Sequence, residues 1–386
     1  MPAQDALLAV PFDEIRRWMF DEALPFWAEY GVDRADGGFV EQLDFEGRDV
    51  GVDFKRTRVT CRQIYVFSHA AVLGWEPGRA LADHGVAFLK KAWLGPDAGW
   101  ARSLTRQGDV LDATPDLYDI AFALFALGWH VRATGDADSA ELARQTLDFT
   151  ERHMRPAQGR GFLHEKPAKG WRLQNPHMHL MEAALSCLEA TGDPRYAELA
   201  KELEGLFRDK LFVPQSQTLA EYFDDDWNRA PSDDGRIIEP GHQLEWAWIL
   251  ANLERLTGAK TEDLVRGLTD FAERHGVDPE TGVTYNQVRD DGVALDRGSR
   301  TWPNTERLKG HVARFEQWGE DPRRALTSSS RVLLDRYLGY GLPALWLDHF
   351  GPDGEHRVNY APASTLYHVF LAFAEVLRIE PRLAGI

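Results

Sequence analysis

The segment Ala133-Thr134-Gly135-Asp136 recurs as Ala190-Thr191-Gly192-Asp193, and each copy follows a run of apolar residues. Leu256-Thr257-Gly258 closes a third apolar run in the same way, and Gly74 and Gly319 occupy matching places. These glycines return about every 60 residues, which indicates a structural repeat. A glycine just past a helix favours the left-handed conformation that ends it, and an Asp or Pro after it can begin the next helix. The pattern therefore predicts repeated pairs of helices.

Two kinds of helix alternate within each repeat. Tyr196, Leu199 and Leu203 keep the i, i+3, i+7 spacing of a helix with one apolar face. Residues 244–253 and 366–373 are instead apolar nearly all round, as expected of helices enclosed by others. With about six helices of each kind, the sequence predicts an all-α fold, an (α/α)6 barrel of six inner and six outer helices. We expect one catalytic domain over residues 1–386.

Turn-rich, strand-like stretches separate each outer helix from the next inner helix. Four of them begin at Gly38–Glu41, Gly99–Arg102, Gly161–His164 and Gly282–Tyr285, and hairpin turns are predicted at Gln107-Gly108-Asp109 and Asp290-Asp291-Gly292. Because these connections precede the inner helices, we expect short β-hairpins to gather at the face where those helices begin. A pocket lined by converging polar groups would form there.

The composition excludes several classes of protein. Of the 386 residues, 44% are hydrophobic and 27% charged, a balance typical of a globular protein. The net charge of -17, with Lys and Arg scattered, argues against a nucleic-acid partner. No apolar run suits a membrane helix and Met1–Pro11 lacks signal-peptide features, so we expect a cytoplasmic protein. Cys61 and Cys187 lack metal-binding spacing and are interpreted as reduced core thiols. The sequence leaves the oligomeric state, a homodimer included, open.

Polar residues interrupt the inner helices near their starts, where burial without partners would cost several kcal/mol. These residues are Arg58, Arg62, Asn175, His177, His179, His242, Glu245 and His368. The starts of the inner helices converge in such a barrel, so we expect these side chains to face one cavity. His179, His242 and His368 recur at matching places in the repeat, which favours a functional role. The remaining imidazoles of outer helices and helix ends, His84, His130, His153 and His275, are interpreted as structural.

Some of these residues have a second interpretation. Arg58 and Arg62 could bind a ligand or pair with loop carboxylates such as Asp44 or Glu46. Asp116 and Asp119 are interpreted as helix-start residues with capping and dipole roles. Aromatic planes suit the C–H faces of a sugar ring. Three tryptophans are predicted in the loops at the pocket face, where each could contact a sugar or pack the loops: Trp100, Trp171 and Trp302.

Five parts of the sequence carry a resemblance to a known family. They are Lys55–Val59 with Arg62–Ser68, Asn175–Ala183, Pro240–Trp248, Arg300–Glu306 and Pro362–His368. In this order they resemble the N-acylglucosamine 2-epimerase superfamily, and they are most similar to its mannose isomerase branch. The resemblance spans nearly the whole chain, and it implies the same (α/α)6 barrel, a monosaccharide substrate, and chemistry through a cis-enediol without metal or cofactor.

The resemblance also implies roles for individual residues. His368 would be the base that takes the proton from C2 and returns it to C1. His242 would assist ring opening and act as the partner acid or base, with Glu245 holding its imidazole. The residues that contact the sugar would be Arg58, Asn175, His179 and Trp302.

The chemistry of the residues agrees with these roles. An α-hydroxy aldehyde proton is weakly acidic, so its removal needs a base poised near neutrality, such as histidine. Return of the proton to C1 gives a ketose, for which D-mannose and D-fructose are the expected pair; return to the opposite face of C2 gives an epimer. A 2-epimerase of glucose and mannose, or of N-acylglucosamine and N-acylmannosamine, stays open. Tyr65, where disaccharide epimerases tend to carry Trp, argues against cellobiose-like substrates, and no nucleotide-binding element is evident.

Three other functions remain possible from the residues alone. The pairs His179/Glu182 and His242/Glu245 have the helical i, i+3 spacing that could ligate one metal ion. Two carboxylates such as Glu245 and Glu306 could serve a glycosidase, which the same fold also hosts. A non-catalytic carbohydrate-binding protein would need the aromatic and polar lining alone.

Overall fold

Helices alternate along the chain between an outer and an inner position. The computed structural model describes residues 9–385. Its twelve principal helices are α1 (Phe12–Arg17, Trp18–Ala23 and Leu24–Tyr30), α2 (Thr57–Val72), α3 (Gly78–Leu89), α4 (Leu117–Thr134), α5 (Ala137–His153), α6 (Asn175–Thr191), α7 (Pro194–Leu206), α8 (Pro240–Thr257), α9 (Glu262–His275), α10 (Thr301–Trp318), α11 (Arg323–Val332) and α12 (Thr365–Leu383). Residues 1–8 and residue 386 lie outside this description. Residues 1–8 belong to the Met1–Pro11 segment, which is predicted to lack signal-peptide features.

The even-numbered helices form a closed inner ring. Each packs against the next, and α12 packs back onto α2. Each odd-numbered helix packs outside an even-numbered one: α1 on α12, α3 on α2, and so on round the barrel. The inner helices are buried over most of their length because neighbours surround them, whereas the outer helices bury one face. The predicted (α/α)6 barrel is confirmed.

The repeated glycines end the inner helices. Gly135, Gly192, Gly258 and Gly319 follow α4, α6, α8 and α10 with φ of 74°, 70°, 73° and 68°. After the first two, Asp136 and Asp193 accept hydrogen bonds from the backbone N–H groups of Ser139 and Arg195 at the starts of α5 and α7. The repeat in the sequence is thus a repeat of helix ends and caps.

Short strands occupy the connections that lead into the inner helices. They are β1 (Gln42–Leu43), β2 (Phe54–Arg56), β3 (Ser103–Thr105), β4 (Val110–Asp112), β5 (Arg172–Leu173), β6 (Phe212–Val213), β7 (Thr218–Leu219), β8 (Tyr222–Phe223), β9 (Ile237–Ile238), β10 (Gln287–Arg289), β11 (Ala294–Asp296), β12 (Ser299–Arg300), β13 (His349–Phe350) and β14 (Ala361–Pro362). They pair antiparallel in the sheets β2-β3-β4, β9-β10-β11, β1-β14, β5-β8, β6-β7 and β12-β13. The predicted hairpin turns join β3 to β4 and β10 to β11, at the face where the inner helices begin.

One hydrophobic cluster extends from α1 to α12 and fills the space between the two rings. Trp27, Trp100, Trp246 and Trp346 are among its largest fully buried side chains. Cys61 and Cys187 are buried free thiols within it, as predicted. Within residues 9–385, every helix is too short or too polar to cross a lipid bilayer.

The helix-ending glycines give a test of the repeat. Gly192→Ala should lower the free energy of unfolding by about 1 kcal/mol, because the side chain meets no neighbour within 4 Å but must adopt a positive φ of 70°. Gly192→Asn should cost less, since Asn tolerates this conformation. Equilibrium unfolding in urea measures both. Equal stability of Gly192→Ala and the unaltered protein would contradict the assignment.

Candidate active site

A cavity of about 400 Å³ opens where the inner helices begin. Arg62 of α2, Tyr118 of α4, Asn175 and His179 of α6, His242 and Glu245 of α8, Trp302 of α10 and His368 of α12 line it. The connecting loops add Leu173, Glu221, Tyr222, Glu239, Arg300, Asp348 and Ser364. The expected convergence of polar groups from separate repeats is therefore observed for these residues. His177 was expected to join them but is fully buried outside the lining, where its Nε2 accepts a hydrogen bond from the Phe162 N–H.

An adjoining recess of about 410 Å³ shares Arg62, Tyr118 and Asn175 with this cavity. Arg58 lines the recess and is absent from the lining of the cavity that holds His242 and His368. The predicted sugar-binding residues therefore divide between two connected compartments, with Asn175 at their junction.

His242 is held by two carboxylates from the connection before its helix. Its Nδ1 lies 2.9 Å from Glu221 Oε2 and 3.4 Å from Glu239 Oε2. Burial alone would lower the pKa of His242, but the carboxylates of Glu221 and Glu239 raise it from 6.5 to about 10. His242 is therefore an imidazolium at neutral pH, and a group able to donate a proton.

His368 has the opposite character. Its Nδ1 lies 3.0 Å from Glu306 Oε1. Burial lowers the pKa of His368 well below its ordinary value, and the cations of Arg62 and Lys309 act in the same direction. At neutral pH this imidazole is uncharged, and the nitrogen that Glu306 does not engage can accept a proton.

Trp302 connects the two imidazoles. Its ring centroid lies 4.9 Å from that of His242 and 5.8 Å from that of His368. Gly241 allows this approach, because a Cβ there would lie 2.5 Å from the Trp302 ring. One cavity thus places an acid and a base against the same aromatic surface, and two titratable groups with pKa values driven apart are a characteristic arrangement for acid–base catalysis.

His179 belongs to the floor of the cavity. Its Nδ1 lies 3.0 Å from Glu182 Oε2, and the Tyr367 hydroxyl donates to the same carboxylate at 2.7 Å. The rings of Tyr118 and Phe122 pack against it. Burial lowers the pKa of His179 to about 3, so this imidazole is neutral and offers hydrogen bonds without charge.

The predicted role of Glu245 as the partner of His242 is wrong. Glu221 and Glu239 engage His242 Nδ1, because β8 and the start of α8 bring them to the side of the imidazole facing the loops. Glu245 is almost fully buried on the cavity floor, where Oε1 lies 3.7 Å from Lys309 Nζ. Glu245 is part of the site and its charge contributes to the raised pKa of His242, but its ion-pair partner is a lysine.

Arg58 resolves the alternatives left by the sequence. It binds Asp119 through Nη2 to Oδ2 at 2.6 Å and Nε to Oδ1 at 3.0 Å, and Asp116 Oδ2 lies 3.5 Å away. Neither Asp44 nor Glu46 pairs with Arg58; both bind Arg48. Asp116 caps α4 and Asp119 is the acidic residue of its first turn, both at the helix start as predicted, and the Asp119 carboxylate in addition binds Arg58. Burial raises the pKa of Asp119 to about 6 despite this pairing.

The three predicted tryptophans have different surroundings. Trp302 lines the cavity. Trp100 is fully buried and donates its Nε1 hydrogen to Thr146 Oγ1 at 3.0 Å, so of its two interpretations the packing role applies. Trp171 is exposed and outside the cavity lining. Spacing in the sequence could not separate a loop ring that packs inward from one that faces a pocket.

Two groups of side chains in the described part of the chain bring possible metal ligands within 4.8 Å of one another: His179, Glu182 and Glu245, and Glu245, Glu306 and His368. His242, which the metal alternative needs, is bound to Glu221 instead. The Lys309 ammonium lies 2.6 Å from Glu306 and 3.7 Å from Glu245. Because this buried cation already balances the carboxylates and would repel a second one, we assign them to Lys309 and not to a metal.

Sequence reasoning missed Glu221, Glu239 and Lys309. Glu221 is 21 residues from His242, and no local pattern links them. Glu239 and Lys309 left a signal, since each stands three positions from a singled-out residue, His242 and Glu306 respectively. On an inner helix, a charged residue at i+3 from a carboxylate indicates a buried pair.

Comparison with known proteins agrees with this geometry. A family model described as N-acylglucosamine 2-epimerase (GlcNAc 2-epimerase) matches residues 37–372. The chain is 35% identical over 377 residues to the mannose-6-phosphate isomerase of Rhizobium meliloti (strain 1021), covering 94% of this chain and 96% of that protein. It is 29% identical over 259 residues to the D-mannose isomerase of Thermobifida fusca, covering 62% of each. The structure of cellobiose 2-epimerase from Bacillus thermoamylovorans B4167 matches with a TM-score of 0.85 at 21% identity, covering 95% of this chain and 98% of that one, and shows the shared fold.

The charge state of His242 can be measured directly. In an NMR titration of the imidazole resonances, His242 should change charge near pH 10, and Glu221→Gln should lower this midpoint by at least about one pH unit, because a carboxylate that stabilises the imidazolium is lost. Asp225→Asn, which removes an exposed carboxylate of the same loop, serves as the matched control. A midpoint near 6.5 in the unaltered protein would contradict the assignment.

Proposed function

Because the chain belongs to the N-acylglucosamine 2-epimerase family of sugar isomerases and epimerases, we propose that it interconverts a free aldose and its ketose, D-mannose and D-fructose. The observation that carries the proposal is the placement of an imidazolium, His242, and a neutral imidazole, His368, in one cavity beside Trp302. Such a pair can move a proton between carbons while a second proton moves between oxygens.

The reaction follows from these two charge states. Once the ring has opened, His368 takes the C2 proton, the C1=C2 bond forms, and O1 receives a proton from His242 to give the cis-enediol. In the second half His242 takes the proton of the O2 hydroxyl, C2=O forms, and His368 returns its proton to C1. Both imidazoles end in their starting states, so one turnover needs no further acid or base.

The remaining predicted residues contact the sugar in this proposal. Trp302 offers its face to the C–H groups, and His179 and Asn175 offer hydrogen bonds to hydroxyls. Arg58 contacts the sugar from the recess, where Asp119 fixes its guanidinium. In this proposal Glu245 contributes to catalysis by balancing the charge of Lys309 at the floor of the cavity, and it makes no hydrogen bond to His242.

The charge of the cavity favours a neutral sugar over a phosphosugar. Its lining carries the carboxylates of Glu221, Glu239, Glu245 and Asp348, against the His242 imidazolium and the guanidinium groups of Arg62 and Arg300. A phosphate would add negative charge to a lining in which the carboxylates already outnumber the cations. We therefore propose free mannose as substrate, although the Rhizobium relative is named for mannose 6-phosphate.

A 2-epimerase acting on glucose and mannose is the second candidate. The specific observation in its favour is that His242 is protonated and could return a proton to C2 from the face opposite His368. The two relatives named as isomerases support the first candidate over this one.

NMR of the purified protein with sugars in deuterated water tests the proposal. The panel contains D-mannose, D-glucose, D-lyxose, D-talose, N-acetylglucosamine, mannose 6-phosphate and an oligosaccharide of mannose. We expect D-fructose from D-mannose, with any deuterium at C1 of the ketose. Formation of glucose from mannose without ketose would establish the epimerase, and release of a monosaccharide from an oligosaccharide would establish a glycosidase.

Variants of the two imidazoles test the residues. His242→Ala and His368→Ala should each reduce kcat by about 10³-fold or more, because each removes a group that transfers a proton. His130→Ala, which removes a buried imidazole outside the cavity, is the matched control and should keep kcat within about threefold. If the protein bound sugar without converting it, and if both variants bound sugar equally well, the result would indicate a carbohydrate-binding protein. Exhaustive chelation should leave the activity unchanged.

A further inference from the structure

A lysine side chain lies fully buried beneath the two imidazoles. Lys309 of α10 has no exposed surface, and its Nζ lies 2.6 Å from Glu306 Oε2 and 3.7 Å from Glu245 Oε1. The ring of Trp248 lies 4.5 Å from the ammonium on another side. An ammonium in such surroundings costs several kcal/mol unless it is paired, so its retention in the barrel interior calls for an explanation.

Carboxylates face this ammonium from four inner helices. Burial alone would lower the pKa of Lys309, but the carboxylates of Glu306, Glu245 and Glu182 raise it above its ordinary value. The remaining titratable groups close enough to interact with Lys309 are Glu375, His179 and His368, and His368 also faces Arg62 and His242. Lys309 is thus the cation that the acidic cavity floor is built around.

Glu306 stands between this cation and the proposed base. Its Oε2 faces Lys309 Nζ, while its Oε1 lies 3.0 Å from His368 Nδ1 and accepts a second hydrogen bond from Thr305 Oγ1 at 3.2 Å. Burial raises the pKa of Glu306 and the carboxylate of Glu245 raises it further, both favouring the neutral acid. Lys309 opposes them and favours the carboxylate.

The ionisation of Glu306 decides which nitrogen of His368 carries the hydrogen. A carboxylate can only accept, so Nδ1 must be the N–H nitrogen and Nε2 keeps the lone pair. A neutral carboxylic acid can donate to Nδ1, and the imidazole hydrogen then moves to Nε2. Since Nδ1 is turned to Glu306, a hydrogen on Nε2 would leave His368 without a base for the substrate.

We propose that Lys309 is a positioning residue that, through Glu306, holds His368 in the Nδ1–H form. The expected effect on sugar turnover rests on the proposed function, whereas the effect on the imidazole does not. Lys309 makes no contact with the cavity, and acts on the reaction through two intervening side chains.

The tautomer is measured by ¹⁵N NMR of histidine-labelled protein at pH 7, with the His368 signals assigned by their loss in His368→Gln. We expect Nδ1 protonated and Nε2 unprotonated in the unaltered protein. Lys309→Met keeps the length of the side chain but removes the charge. In this variant we expect Nε2 protonated and Nδ1 unprotonated. The double variant Lys309→Met/Glu306→Gln should restore the first pattern, because the Gln carbonyl accepts from Nδ1–H without needing a cation.

The kinetic test uses the same variants. Lys309→Met should lower kcat at pH 7 by about 100-fold with KM changed less than about threefold, and kcat should recover as pH rises, because Glu306 regains its charge only above its raised pKa. The kcat of the double variant should be at least tenfold higher than that of Lys309→Met, and it should not show this dependence on pH. Lys55→Met is the matched control, since Lys55 is another buried lysine paired with a carboxylate, Asp33, away from the cavity.

Several outcomes would overturn the proposal. One is an Nε2–H tautomer of His368 in the unaltered protein. Another is a Lys309→Met variant with unchanged tautomer and pH profile, or with losses that Lys55→Met reproduces. If Lys309→Met fails to fold, the double variant Lys309→Met/Glu306→Gln provides the test. An Nε2–H imidazole in that double variant would also contradict the proposal. If the unaltered protein converts no sugar, the tautomer measurements still decide this inference, so its failure and that of the proposed function are distinguishable.

Discussion

An inner helix of a closed barrel is surrounded by protein over most of its length, and this constraint governs the rest of the molecule. Each of the six inner helices is packed by two inner neighbours and by outer helices, so a buried polar side chain on it needs a partner inside the protein. Several polar residues of the inner helices meet this requirement by bonding to one another across repeats. Examples are His368 with Glu306, and Tyr367 with Glu182.

The same constraint separates the two central histidines. His242 and His368 contact one tryptophan, but the carboxylates around them differ in how they are balanced. Glu221 and Glu239 face His242 with no lysine between them, so the positive charge settles on the imidazole. Glu306 faces His368 but also Lys309, and the charge settles on the ammonium. Burial, with Arg62 and Lys309, thus makes His368 a base, whereas Glu221 and Glu239 make His242 an acid, in two side chains of the same type.

The loops complete the site at its open side. β5, β9, β12 and β14 each end within three residues of the start of an inner helix, and each pairs with a strand from a distant connection, so these small sheets hold the helix starts in register with the loops. Glu221 lies beside β8, which pairs with β5 before α6, and it reaches the histidine of the next inner helix. The repeat therefore provides the scaffold and places the histidines, and loop residues such as Glu221 set their charge.

Much of the fold was predictable because it depends on short-range patterns. Gly135 and Gly192 end helices through their own backbone freedom, and the apolar character of residues 366–373 already implies enclosure. The convergence of His179, His242 and His368 follows from their equal places in the repeat. By contrast, the sequence left open whether Trp100 contacts a sugar or packs the loops, and it named Asp44 and Glu46 but not Asp119 as possible partners of Arg58, since a local pattern does not show which neighbour a side chain meets.

The sequence by itself determined the helix pairs, their sixfold repetition and the face on which the polar groups would gather, because these depend on periodicity and on glycine and proline positions along a few turns of chain. Only the tertiary structure decided which carboxylate serves which imidazole. Glu221 is 21 residues from His242 and Glu306 is 62 residues from His368, and electrostatic energy inside a protein depends on separations of a few ångströms that the order of residues does not specify.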